Sequence, residues 1–227
     1  MGANVVAQRY LTKPFLIDGY KFDLRIYALV LCCDPLRIHV YNDGLARFCT
    51  ELYEAPKAAN LKDVCMHLTN YAVNKHNDNF VFNEDEGATD EGSKWSIQGL
   101  KEYMAGAALD FPAMWASIVD LIVKTVLSVQ PSLAHNYRSC FAPENDGFSC
   151  FEILGFDVMM DDLLRPWLIE VNHSPSFTVD TPLDLAIKED LITDTLDLVR
   201  IDPKVRPRLI TLLHHLLSSQ LEHLRRG

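Results

Sequence analysis

Apolar and polar positions alternate through residues 20–32 and again through 36–48, which predicts two strands rich in β-branched and aromatic residues. In the first, Lys21, Asp23, Arg25 and Tyr27 share one face, while Phe22, Leu24, Ile26 and Ala28 share the other. One face is therefore core and the other charged. The Asn42-Asp43-Gly44 signal predicts a turn that interrupts the second strand. Residues 67–95 begin with a short polar motif and continue into an acidic, Gly-containing stretch with Glu84, Asp85, Glu86, Asp90 and Glu91. This pattern predicts a surface loop, with Lys94 at its end as an isolated positive charge.

The period then becomes helical. Two helices are predicted over 96–109 and 112–129, the second with Pro112 at its start and a core stripe of Trp115, Ile118, Val119, Ile122, Val123 and Val126. Thr181 before Pro182 signals the start of another amphipathic helix, and 206–227 reads as a terminal apolar helix. His214, His215 and His223 on that helix lack partners at ligand spacing and read as packing or surface residues.

Between these helices, residues 151–177 read as two apolar strands joined by a polar turn, yet Asp157, Glu170 and Asn172 lie inside them. Pairing Asp161 with Pro166 across the turn places Asp157 opposite Glu170, with Asn172 two residues further along the same face. Opposed carboxylates are destabilising unless a cation compensates them. Oxygen donors without thiolate or imidazole favour a hard ion, Mg²⁺ before Ca²⁺, with positions left open for water or phosphate.

With 227 residues, 48% of them hydrophobic, the chain can bury one substantial core, or one domain plus an appendage. No apolar run reaches the ~18 residues of a membrane span, and neither a secretory leader nor a lipid anchor is expected. Cys32, Cys33, Cys49, Cys65, Cys140 and Cys150 show no zinc-type or CxxC spacing and predict reduced, mostly buried thiols. A formal charge of −10 disfavours nucleic acid as a partner. Basic residues gather at one end, where 200–227 carries a local balance of +4.

The segments "QRYLTKPFLIDGYKFDLRIY", "DGLARF", "HLTNYAVNK" and "FEILGFDVMMDDLLRPWLIEVNHSPSF", in this order, resemble the catalytic domain of the tubulin–tyrosine-ligase-like enzymes, especially the polyglutamylase branch. Four ordered motifs over residues 6–203 are far more specific than a lone glycine pattern. The resemblance implies an α+β, ATP-grasp-like fold of the glutathione-synthetase type, an antiparallel sheet flanked by helices. It also implies ATP and Mg²⁺ as cofactors, with free L-glutamate and the acidic tails of tubulin in microtubules as partners. Residues 1–180 would be the C-terminal portion of the ligase domain and 181–227 a locally basic helical extension. By the same resemblance Gln8, Arg9, Tyr10 and Leu11 meet adenine, and Lys21, Asp23, Thr69 and Asn70 make further nucleotide contacts. Asp157, Glu170 and Asn172 match the magnesium ligands, as the hairpin register suggests independently. Arg47, Tyr71, Lys94 and His173 match contacts to the incoming glutamate, and Ala72 stands where the family usually has Ser. Arg25 joins Arg47, Lys94 and His173 as a catalytic candidate.

The implied chemistry is carboxylate activation. A tubulin carboxylate attacks the γ-phosphate of ATP, and the glutamate amine then displaces phosphate from the acylphosphate. The residues suit that chemistry: cations clamp phosphoryl oxygens, Arg47 can grip a carboxylate bidentately, and His173 can orient or deprotonate the amine. The setting implied is cytoplasmic and cytoskeletal, including cilium, flagellum or basal body. Family members also carry an ATP-grasp lobe ahead of the Gln8 hinge. A chain starting near that hinge is expected to turn over little ATP alone, with Val5, Val6, Tyr10 and Leu11 left exposed. The alternative function is a non-catalytic microtubule-binding module that uses the basic 200–227 segment.

Overall fold

The structure, a computed structural model, describes residues 7–82, 92–140, 148 and 150–199. The basic segment 200–227 with its predicted helix, the acids Glu84, Asp85, Glu86, Asp90 and Glu91, and Val5 and Val6 lie outside the described residues.

Alternating sequence builds one antiparallel sheet from β1 (Leu16–Ile17), β2 (Tyr20–Cys33), β3 (Leu36–Leu52), β4 (Lys94–Ser96), β5 (Glu152–Met160) and β6 (Pro166–Asn172). Its order is β4-β3-β2-β5-β6, with β1 beside β2. The helices are α1 (Val64–His67), α2 (Tyr71–Asn74), α3 (Ile97–Gly106), α4 (Phe111–Cys140) and α5 (Pro182–Leu198). This is the mixed α+β class that the resemblance implies.

The apolar face of β2 packs with Phe48, Phe156 and Val158 against Leu100 and Met104 of α3 and Ile118, Ile122 and Val126 of α4. Those three α4 residues are every fourth position of the predicted stripe, and Trp115 packs at its edge. On length and composition α4 could cross a membrane, but here one of its faces is taken up by the sheet. It also continues past the predicted end at residue 129 and through Pro131, because Ala134 and Tyr137 go on burying a face that outweighs one lost backbone bond. Ser96 caps α3 by accepting from Gly99 N, and Thr181 caps α5 by accepting from Asp184 N, the latter as predicted.

The second face of β2 is not solvated. Toward one end Tyr27 and Leu45 bury against Leu183, Ile187 and Leu191 of α5, and beyond them Leu29 and Leu31 meet Val199. Toward the other end Lys21 and Asp23 are both buried without any apolar cover of this kind. Tyr10 and Leu11, expected to be exposed, are half-buried. The thiols are all free, but Cys140 and Cys150 are exposed, so the expectation of mostly buried cysteines holds only for part of the set.

Two register features position the site. The Asn42-Asp43-Gly44 signal is not a turn, since β3 runs straight through it and the reversal lies at Asp34-Pro35. Instead the pairing jumps from Ile26↔Gly44 to Ala28↔Val40, a bulge whose Asp43 carboxylate accepts from Gly44 N and Ile97 N and ties β3 to the start of α3. The same local backbone freedom that suits a turn serves here as a bulge inside a strand. The second feature lies in the hairpin, where Met160 pairs with Pro166 and Met159 with Trp167, one residue out of the register read from the turn. A shift between Asp157 and Val158 inserts Ile169 and restores the predicted Asp157↔Glu170 pair.

Gly44 is required by space, because a Cβ there would stand 2.3 Å from the carbonyl oxygen of Arg25. Gly44→Ala is expected to destabilise the protein by about 2 kcal/mol or more, since backbone rather than a flexible side chain must give way. Denaturant unfolding of the two proteins checks this, and equal midpoints would refute it.

Candidate functional site

The charged face of β2 is built in lines across the sheet. Lys94, Arg47 and Asp23 are successive cross-strand neighbours on β4, β3 and β2. One step along, Arg25, Asp157 and Glu170 are neighbours on β2, β5 and β6. The two lines lie on one face because Asp23 and Arg25 are two residues apart. Arg47 donates through Nε at 2.8 Å and Nη2 at 2.5 Å to Asp23, and Nη2 also reaches Asp157 at 3.1 Å. Arg25 donates through Nε at 2.6 Å and Nη2 at 3.1 Å to the same Asp157. Gly155 keeps the face open for this arm, which lies 3.4 Å from where its Cβ would be.

Asp157 is thus neutralised by two guanidinium groups, so part of the compensating positive charge that the hairpin calls for comes from Arg25 and Arg47. Burial works against its charge, but the hydrogen bonds from Arg25 and the charges of Arg47 and Arg25 outweigh burial and hold its carboxyl below the usual range. Asn172 lies opposite Gly155 with Nδ2 3.5 Å from Asp157 Oδ2. Glu170 is exposed and makes no ion pair among the described residues. The three predicted oxygen donors therefore share one face, and Glu170 is the one with its capacity unspent.

Beside this corner opens a cavity of about 560 Å³ whose walls include Gln8, Arg9, Tyr10, Leu11, Lys21, Asp23, Thr69, Asn70, Asp157 and Glu170. Every residue expected to meet the nucleotide lines it, together with two of the three expected metal ligands. Gln8 and its neighbours are held there by a hydrogen bond from Gln8 Nε2 to Ile169 O, 3.2 Å, at the hairpin bulge. Lys21 donates to Tyr10 Oη at 3.0 Å and to His67 O at 2.6 Å, with burial lowering its pKa against the pull of Cys49 and Asp23. Burial in turn pushes the Cys49 thiol up to about 12, which removes it as a nucleophile.

The Thr69-Asn70 segment is pinned by a residue that sequence reasoning missed. Asn74 accepts from Thr50 N and Oγ1, and donates to Leu68 O and Asn70 O, so a single amide ties the polar motif to β3. Its only sequence signal was a place inside "HLTNYAVNK".

At the far side of the Asp23–Arg47 pair lie Lys94 and Tyr71, two of the four residues expected to hold glutamate. Lys94 is not an isolated loop charge. It is buried in β4 opposite Arg47, its Nζ lies 3.8 Å from the Tyr71 ring centroid, and it donates to Asp184 Oδ2 at 2.7 Å. Burial, then Asp180, pushes the Tyr71 phenol up, so it stays a neutral hydrogen-bonding group. The Nε–Nη2 edge of Arg47 is committed to Asp23, which removes the bidentate grip expected through that edge. His173 stands apart, exposed just after β6 with no hydrogen bond or ion pair among the described residues.

The profile of the tubulin-tyrosine ligase family matches residues 2–209. Similar proteins include the tubulin polyglutamylase ttll6 of Danio rerio, 52% identical over 200 residues, which are 88% of this chain and 25% of that protein. The tubulin polyglutamylase TTLL13 of Mus musculus is 50% identical over 202 residues, 88% of this chain and 24% of that protein. A probable beta-tubulin polyglutamylase of Tetrahymena thermophila is 46% identical over 218 residues, 96% of this chain and 18% of that protein. The chain thus spans a quarter or less of the length of these relatives.

Arg47→Met is expected to cost about 3 kcal/mol, because it leaves Asp23 buried without its counter-ion while Asp157 keeps Arg25. Adding Asp23→Asn should recover much of that loss, and chemical denaturation of the two variants and the double mutant measures it. Equal stability of Arg47→Met and the parent would show that the pair carries no net load.

Proposed function

The chain belongs to the tubulin-tyrosine ligase family, and we propose that it carries the nucleotide- and metal-binding part of an ATP-grasp ligase joining glutamate to side-chain carboxylates of tubulin tails. The observation that carries this reading is convergence. Residues from three separated stretches, expected from the family resemblance to meet ATP, line one cavity that ends at Asp157 and Glu170. A cavity of about 560 Å³ is in the range of small-ligand sites. Names of relatives add the substrate class, since those proteins are called tubulin polyglutamylases.

The donor set fits a magnesium ion. Asp157 is ionised, Glu170 is accessible, and half a revolution of the Asn172 amide presents Oδ1 in place of Nδ2 toward Asp157. Asp157, Glu170 and Asn172 would hold it, with Arg25 sharing the Asp157 carboxylate. Such an ion supplies Lewis-acid polarisation of phosphoryl oxygens.

In the proposed reaction an acceptor carboxylate displaces ADP from the γ-phosphorus of ATP, giving an acylphosphate. The amine of glutamate then displaces phosphate to form an isopeptide bond. The chain's own groups divide the work. Tyr10 and Leu11 offer the cavity an apolar wall for a base, while Lys21 sets a cation fixed by two acceptors beside it. Arg47 acts by holding Asp23 and Asp157 in line, which keeps the phosphate-facing corner rigid. Lys94 and Tyr71 form the end that takes a glutamate carboxylate, and exposed His173 takes up the proton released from the amine. The setting proposed is cytoplasmic and cytoskeletal, the cilium included. A non-catalytic tubulin-binding module is the weaker reading, since it leaves the convergence unexplained.

The test uses the natural protein that carries this sequence, with ATP, Mg²⁺, labelled glutamate and microtubules. Label should enter the tubulin tails. Glu170→Gln should cut the rate at least about a hundredfold while leaving thermal unfolding unchanged, because it removes a ligand charge at nearly constant volume. Near-normal turnover in that variant would exclude the metal assignment.

A further inference from the structure

Asp184 lies in the first turn of α5, only 1% exposed, and belongs to none of the nucleotide, metal or glutamate sets above. Its Oδ2 accepts from Lys94 Nζ at 2.7 Å and from Thr181 Oγ1 at 3.1 Å. Its Oδ1 faces Lys188 Nζ at 3.5 Å but makes no hydrogen bond. Lys188 also donates to Thr178 O, on the loop that leads from His173 to the helix.

Helix capping does not call for this arrangement. Thr181 already supplies the cap, and an acid in the first turn gains its dipole energy equally well at the surface. Nor is the arrangement good for stability alone: a carboxylate buried between two lysines, with one oxygen unbonded, recovers its desolvation only in part. What it does achieve is geometric. A lysine stem has four rotatable bonds and no preferred fork, so its ammonium wanders unless something fixes it. Here Asp184 draws it from one side and the Tyr71 ring lies 3.8 Å away on another, at the position directly opposite Arg47.

We propose that Asp184 is a positioning residue, which fixes the Lys94 ammonium over the Tyr71 ring and so sets the charge that receives the amino-acid carboxylate. The proposal rests on the functional reading for what that end of the site binds. Its structural half stands alone: α5 is part of the site's scaffold, and its first turn decides where Lys94 points. Lys188 balances the second oxygen and couples the same turn to the His173 loop.

Two readouts test it. In protein labelled with [ε-¹³C]lysine, the Lys94 ε-methylene should be shifted upfield by the Tyr71 ring, and Lys94→Gln identifies the signal by deleting it. Asp184→Asn should move that signal to the position of ordinary lysines. In the ligation assay the same variant should raise KM for glutamate about tenfold, the scale of one charge-assisted hydrogen bond, with kcat changed far less. Asp184→Glu should restore part of both. Because Asp184→Asn leaves two buried lysines without a counter-ion, Asp184→Asn/Lys188→Met serves as the charge-balanced partner and should show the same shift and the same KM. If glutamate is transferred and neither readout changes in these variants, the positioning role is overturned. If the parent protein transfers no glutamate, the functional reading fails, and the lysine signal alone decides whether Asp184 holds Lys94: an unmoved signal would sink the proposal.

Discussion

The molecule is organised around a buried ionic lattice in which Arg47 bridges Asp23 and Asp157 and Arg25 closes on Asp157 from the other side. A buried guanidinium or carboxylate is expensive alone, and each member here is tolerable only because the others stand where they do. Three strands are thereby locked in register, since a slip of one residue would turn every member to the opposite face. The lattice also distributes the acids into two kinds. Asp157 is held in place by two guanidinium groups, whereas Glu170, directly across from it, remains open to whatever enters the cavity.

Much of this was legible in the sequence. Two-residue alternation gave the faces of β2, helical spacing gave the stripe of α4 that packs, and the Thr181-Pro182 signal gave the start of α5. The opposition of Asp157 and Glu170 was also reachable from the hairpin alone, although by a turn register one residue off, rescued by the bulge at Ile169. What escaped was whatever depends on contacts distant in sequence. Nothing near Lys94 announces a partner ninety positions away, so it read as a loose charge. Asp184 hid behind its place three residues after a capping threonine, where an acid is ordinary. The Asn42-Asp43-Gly44 signal misled for a local reason: the dihedral freedom that makes a hairpin turn also makes a bulge.

The cavity and the lattice share a wall, and that arrangement links the two halves of the proposed chemistry. Asp23 faces the cavity and is gripped by Arg47, whose cross-strand neighbour is Lys94. In the proposed reaction, groups serving the two substrates would thus be separated by a single row of side chains and held by different elements.

The bulge at Ile169 has a mechanical side. It lies on β6, the outermost strand of the sheet, where sliding along a neighbour is opposed by one ladder only. The extra residue makes the ladder incommensurate, with one register toward the tip and another toward the site, so β6 cannot shift by a step without relocating the defect. Gln8 fastens that defect from outside through the Ile169 carbonyl. The edge strand therefore behaves as a pinned dislocation: the flaw in the sheet is what stops Glu170 from drifting out of line.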